Sequence, residues 1–233
     1  MGKLTKRMNV MYKNINLKEQ FSIENAINNL KNLSKVKFIE SIDISINLGI
    51  DPKKTEQNIR GNVCLPHGTG KNIKFAIFAS GQEAINVKKL GIKLVGMEDL
   101  STKITNGEKN FNVVISTPEA MSIVSKLGPI LGPKGLMPNP KLGTITNNIT
   151  ETIKKIQNGQ INFRNDKSGI IHVSIGKINF ANNKIKENLQ ILLKTLKKFK
   201  PLKLKGNYIK KIYISSTMGI SIEITKDCVN LIN

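Results

Sequence analysis

Between Lys71 and Gly159 the chain alternates short apolar runs with short helical ones, and on either side of that stretch it does not. This change of pattern constrains the fold more than any other feature. KNIKFAIFAS (71–80), KLVG (93–96) and FNVVISTP (111–118) read as strands. QEAINVKKLG (82–91), MEDLSTKITNG (97–107), EAMSIVSKLG (119–128) and TETIKKIQNG (150–159) read as helices, the last with Thr150 placed to cap it. Strand and helix alternating at this spacing predict a small α/β unit around a mostly parallel sheet.

The flanks follow another pattern. SIENAINNLKNL (22–33) has helical periodicity, with Ser22 as its N-cap. KFIESIDISINLGI (37–50) alternates as a long strand with one wet face, bulged near its start, and NIRGNVCLP (58–66) is its expected partner. QINFRNDKSGIIHVSIGKINF (160–180) reads as a hairpin turning at RNDKSG. KIKENLQILLKTLKKFK (184–200) reads as an amphipathic helix stopped by Pro201. The economical arrangement is a discontinuous two-domain α+β protein. Residues 1–66 and 160–233 form a sandwich-like α+β domain, and residues 67–159 are inserted as a small, three-layer, Rossmann-like α/β domain.

Charge limits what such a protein does. Lys and Arg number 37 against 16 acids in 233 residues, a net charge of +21. A compact chain carries that self-repulsion poorly without an anionic partner, nucleic acid first and an anionic membrane surface second. Codon usage rich in Lys, Asn and Ile accounts for part of the excess but not for the scarcity of acids. The outer segments carry 25 basic and 10 acidic residues, the middle 12 and 6, so the terminal domain is the more basic per residue. No run of 18 apolar residues spans a membrane, and MGKLTKRMNVMYKN lacks the apolar stretch of a signal peptide, which makes the cytoplasm the default compartment. Cys64 and Cys228 have no Cys or His at ligand spacing, so no metal site is expected.

The motifs that invite chemistry mostly fail on spacing. HGTGK (67–71) is too short for a phosphate-binding loop, lacks the hydroxyl after its lysine and precedes a strand. A hinge at Pro66, His67, Gly68 and Gly159 accounts for it better. His67 and His172 are far apart in sequence and indicate no acid/base pair. Glu98 and Asp99 are adjacent on a helix and suit its dipole. LGPILGPKGLMPNPKLGT (127–144) is a stiff proline-rich loop presenting Lys134, Asn139 and Lys141, either a structural crossover or a polyanion contact. RNDKSG puts Arg164, Asn165, Lys167 and Ser168 on a tip that reads either as a grip for an RNA backbone or as a plain hairpin turn, and the basic runs nearby favour the grip. SSTMGI (215–220) interrupts a strand with hydroxyls, Met218 and Gly219, and reads either as a ledge for ribose and phosphate oxygens or as a β-bulge with a core methionine. No catalytic residue and no cofactor emerge.

LTKRM (4–8), KFIES (37–41), NLGID (47–51), LPHGTG (65–70), LVGMEDL (94–100), LGPKGLMPNP (131–140), GQINFRNDKSGIIH (159–172), IGK (175–177) and STMG (216–219) together resemble the bacterial L1 family of large-subunit ribosomal proteins. The resemblance covers nearly the whole chain. It implies a monomer within the ribosome that binds large-subunit ribosomal RNA at the mobile stalk, helps release the E-site tRNA and represses its own operon mRNA. It implies an RNA surface of Lys6 and Arg7, of Lys37 with Phe38 on the first strand, of Lys167 and Ser168, and of Ser216, Thr217, Met218 and Gly219. Ser216 stands where the family more often has threonine, which keeps the hydroxyl. The rivals are an enzyme built on the inserted domain, and a regulatory RNA-binding protein that never joins a ribosome.

Overall fold

A computed structural model describes residues 5–14, 19–107, 110–201, 204 and 206–225, apart from the side chains of Asn14, Thr55 and Lys141. Leu4 and Cys228 lie outside the described residues. The chain begins with α1 (Lys6–Asn14), α2 (Ile23–Leu33), β1 (Ser41–Leu48) and β2 (Arg60–Cys64). It continues through β3 (Phe75–Phe78), α3 (Gly81–Lys89), β4 (Leu94–Gly96), α4 (Glu98–Thr105), β5 (Val113–Ser116), α5 (Met121–Lys126), α6 (Gly128–Leu131) and α7 (Ile149–Gln157). It closes with β6 (Gln160–Arg164), β7 (Ile170–Lys177), α8 (Asn182–Lys198), β8 (Ile209–Ser216) and β9 (Ser221–Ile224). Contacts divide it into two compact units, one of residues up to Gly70 and from Gly159 onward, the other Lys71–Asn158.

The terminal unit is built on an antiparallel sheet of order β7-β1-β8-β9. β1 alternates strictly, so Ile42, Ile44, Ile46 and Leu48 all point to one face and are buried. Each such side chain stabilises by about 1.5–3 kcal/mol on leaving water. They pack with Ile27 and Leu30 of α2 and with Ile185, Leu189, Leu192, Leu193 and Leu196 of α8, the apolar stripe expected of the 184–200 helix. Ser22 caps α2, its side chain accepting from Asn25 N–H at 3.4 Å. The other face carries Asp43, Ser45, Asn47, His172 and Tyr213, none of which is buried. A bulge falls between Ile42 and Asp43, near the start of the strand as expected.

Two pairings differ from the sequence expectation. β2 does not join β1; it pairs with β6 in a separate two-stranded ribbon. The 160–180 segment is therefore no simple hairpin, since β6 belongs to the ribbon and β7 to the large sheet, with a single bridge, Asn165 to Ile171, between the two paths. The divergence is imposed at the tip, where Asp166 Oδ1 accepts from both Ser168 N–H and Ile170 N–H at 2.8 Å and Gly169 takes a positive φ of 77°. Both misassignments have one cause: alternation fixes which face a residue occupies but not which strand lies beside it.

The inserted unit is a parallel sheet of order β4-β3-β5 with helices on both faces, three layers in all. Phe75, Ile77 and Ile115 pack against Val87 of α3 and Ile149, Ile153 and Ile156 of α7. Ala76, Phe78 and Val114 face Leu100 and Ile104 of α4, Val124 of α5 and Leu131 of α6. All four β3 residues are buried, the signature of a strand covered on both sides. Helix α7 begins one residue early, at Ile149 with Asn148 before it, so Thr150 lies inside its first turn and is no cap. Among the described residues no helix is long and apolar enough to cross a membrane.

Candidate nucleic-acid interface

The SSTMGI stretch is the turn of a β-hairpin. Ser215 pairs with Ser221, and Gly219 N–H donates back to Ser216 O at 3.1 Å. The alternative of a bulge with a core methionine is excluded by position, because Met218 sits on the turn and is 52% exposed. Ser216 is buried, so it packs beneath the turn and presents no hydroxyl to solvent. Gly219 has a negative φ, and its missing side chain matters for another reason: a Cβ there would run into the Ser216 hydroxyl. The glycine lets the turn close on its own serine.

What holds this turn is Glu40, a residue that the sequence alone did not mark. Its side chain is fully buried. Oε1 accepts from Met218 N–H at 2.8 Å and Oε2 from the Ser34 hydroxyl, just past the end of α2. Arg7 of α1 donates from Nη2 to Met218 O at 3.1 Å, so both backbone groups of Met218 are satisfied internally. Ser41 N–H donates to Thr217 Oγ1 at 3.0 Å, and Thr217 N–H to Ser41 O at 3.2 Å. The Thr217 hydroxyl in turn donates to Ser41 O at 3.4 Å, which leaves the exposed oxygen one lone pair for a further partner. Lys177 Nζ donates to Ser41 Oγ at 2.9 Å.

Around this fixed turn stand the exposed side chains of Phe38, Ile39 and Met218, with Lys6 and Lys37 also exposed. Phe38 and Lys37 precede β1, which begins only at Ser41, so the expectation that they lie on the first strand is corrected. Leaving the sheet early frees Phe38 to face solvent at 52% exposure.

Lys167 and Ser168 lie elsewhere. Gly169 O accepts from Leu48 N–H, which places their tip at the far end of β1 from Ser41. Eight residues of antiparallel strand separate the two groups by roughly 24 Å. The Asp166 carboxyl is held below its ordinary range chiefly by the Ile170 N–H, with help from Ser168 N–H and His172 and against the cost of losing water around the charge. Its other contact is His172 Nε2 at 3.6 Å, and His172 Nδ1 lies 3.0 Å from Ser45 Oγ. This line of Asp, His and Ser sits on an open sheet face with the His side chain 59% exposed, unlike the enclosed setting that a nucleophilic serine needs.

The residues expected to hinge are tied down. Asn188 of α8, fully buried, accepts from His67 N–H at 3.2 Å and donates to Gly68 O at 3.0 Å and to Ile175 O at 2.8 Å. His67 Nε2 meets Glu187 Oε2 at 2.5 Å. Pro66 and His67 form a turn closed by Gly68 N–H to Leu65 O, and Leu65 N–H donates to Gly159 O. Gly159, at φ 99°, packs where a Cβ would strike Gly68 and Leu65, so no other residue fits. These contacts gather His67–Gly70 and Gly159 into the terminal unit.

In the inserted unit Lys134 is exposed. Asn139 is anchored by Thr144, whose Oγ1 accepts from Asn139 N–H at 2.7 Å. The backbone of Lys141 lies in a single 3-10 turn, Pro140–Leu142. Among the described residues no group of three or more His, Cys, Asp or Glu side chains is placed to hold a metal ion.

The sequence profile of the Ribosomal protein L1p/L10e family matches residues 30–220. Two curated relatives named large ribosomal subunit protein uL1, from Vibrio vulnificus strains YJ016 and CMCP6, are each 50% identical over 230 residues, covering 99% of this chain and 99% of theirs. A match that spans both flanks and the insertion reflects a shared two-unit architecture, and the chain belongs to the ribosomal protein L1 family.

Proposed function

We propose that this chain is a non-enzymatic, RNA-binding component of the large ribosomal subunit. Its terminal unit grips ribosomal RNA at the mobile stalk. From there it assists the movement and release of E-site tRNA, and it binds and represses its own operon mRNA. It works in the cytoplasm as a monomer within the ribosome and needs no cofactor or metal.

The observation that carries this reading is the turn at Thr217–Gly219. Its backbone is consumed by Glu40, Arg7 and Ser41, and it is left with an exposed hydroxyl and an apolar rim. Such a rigid ledge costs little ordering on binding and suits the ribose edge of a folded RNA, whose deep major groove side chains cannot read. Lys6, Arg7 and Lys37 beside the ledge, and Arg164, Lys167 and Ser168 at the far end of β1, supply phosphate contacts that set affinity and its salt dependence. Lys134, Asn139 and Lys141 form a secondary contact. Asn188 fastens His67 and Gly68, and Gly159 packs against Gly68, so we place the pivot of the inserted unit just past Gly70 on one strand of the junction and just before Gly159 on the other.

Protection footprinting of large-subunit ribosomal RNA with the purified chain tests this. Protection confined to one compact region, and lost with Gly219→Val, is the expected result. Uniform weak protection would leave only a nonspecific polycation. Co-sedimentation with the large subunit in high salt separates a ribosomal protein from a free-standing regulator.

A further inference from the structure

The ribbon of β2 and β6 sets two arginines face to face. Arg60 is directly opposite Arg164 in the ladder. Asn165 N–H donates to Ile59 O and Leu65 N–H to Gly159 O, so the hydrogen-bonded pairs are 59/165 through 65/159. Arg60 and Arg164 therefore form a non-hydrogen-bonded pair, the kind whose Cα atoms approach to about 4.5 Å and whose side chains come closest. Like charges directly opposite each other destabilise a sheet. Neither guanidinium has an ion-pair or hydrogen-bond partner among the described residues. Asp166 is the acid lining the same groove, and its carboxyl is occupied by Ser168, Ile170 and His172.

The ribbon beneath is stiff. Phe163 and Phe199 pack edge to face at 5.5 Å, and Gly61 leaves them the space that a side chain would take. Asn165 braces the rim, its Oδ1 accepting from Ile59 N–H at 2.7 Å and its amide donating to Asn58 at 3.2 Å. Lys167 adds a third cation to the groove. An uncompensated pair of forked donors matches the tetrahedral oxygens of one anionic phosphate better than any neutral ligand.

We propose that Arg60 and Arg164 close as a clamp on a single backbone phosphate of the bound RNA, with Arg60 contributing as much as Arg164. This rests on the RNA-binding reading above. It adds a contact on the ribbon, away from the Thr217 ledge, that anchors the RNA by charge and carries no sequence information.

The test is a salt series of filter-binding titrations with the full chain and in vitro transcribed large-subunit ribosomal RNA. Arg60→Gln should weaken binding about five- to tenfold near 0.1 M salt and flatten the plot of log affinity against log salt by about one phosphate. The Arg60→Gln/Arg164→Gln double variant should lose little more, because both arginines serve one phosphate. A double-variant slope lower by two phosphates would overturn the shared clamp. So would wild-type affinity and slope in Arg60→Gln while Gly219→Val still loses binding, an outcome that leaves the RNA reading intact. Failure of the wild-type chain to bind would end both. Thermal melting of the free protein gives the second readout: Arg60→Gln melts at or above wild type when repulsion is relieved, and a lower melting point would assign Arg60 a structural role instead.

Discussion

The two units solve the same problem, covering a sheet, in opposite ways. In the inserted unit both faces of a parallel sheet lie under helices, and β3 is buried throughout. Nothing polar from the sheet faces water, so charge reaches solvent only from helix surfaces and loops such as the one bearing Lys134. In the terminal unit α2 and α8 cover one face of an antiparallel sheet and leave the other wet. The ends of β1 then become places where loops, caps and a hairpin turn meet, and the ledge and the tip are built there. The contrast teaches that the α/β pattern, which in other proteins hosts ligand chemistry at its strand ends, here builds a sealed body, and under the proposed function the open-faced sheet supplies the main RNA contact.

The largest expected effect tests whether the sealed unit is only a body. Phe78→Ala removes a fully buried ring and should cost about 3–5 kcal/mol in urea unfolding. RNA affinity measured well below the transition should stay near wild type. An equal loss of affinity would show that the insertion grips RNA as strongly as the terminal unit does.

Glu40→Ala comes next. It strands the Met218 N–H and the Ser34 hydroxyl, and should cost about 2–3 kcal/mol of stability as well as roughly tenfold in RNA affinity. A calorimetric melt paired with a binding titration reads both. Loss of stability with unchanged affinity would detach the ledge from RNA.

Gly219→Val and Thr217→Ala act on the ledge itself, and each should weaken RNA binding by about 1.5 kcal/mol. For Gly219 the mechanism is collision with Ser216, so a Ser216→Ala background should restore part of the affinity to a Gly219→Ala variant. No rescue would mean that the glycine serves close approach of the RNA instead.

A smaller effect concerns the far end of β1. The folded-state pKa of Asp166 is depressed below its unfolded 3.8. Its contribution is therefore complete above that value and is lost as pH falls through the lower folded one. Amide exchange should show protection of Ile170 N–H constant from neutrality down to about pH 4 and declining below it. In Asp166→Asn that acid-dependent decline should vanish. The smallest effect belongs to the insertion: Lys134→Ala should shift affinity by under about 0.5 kcal/mol in physiological salt, since an exposed lone charge is screened.

How much of this was legible beforehand differs by residue. Thr217, Met218 and Gly219 stood out because hydroxyls and glycine break an alternating run, a local signal. Ser216, in the same motif, was grouped with them, although strand parity turns it inward. Glu40 left no signal at all. Its partners are 6 and 178 positions away, and an acid in KFIES looks like any surface acid until the fold buries it. Asn188 was hidden in the same way inside an ordinary amphipathic helix, its contacts 13 to 121 residues distant.

Periodicity is a property of neighbouring residues, so the amino-acid order alone settled the division into two kinds of unit, the apolar faces of β1 and α8, and the presence of a polar turn near residue 217. Pairing and proximity depend on how distant segments close upon one another, at an entropic cost that no local pattern records. Only the tertiary structure could decide that β2 lies beside β6, that the ledge and the Lys167 tip stand at opposite ends of one strand, and that Arg60 faces Arg164.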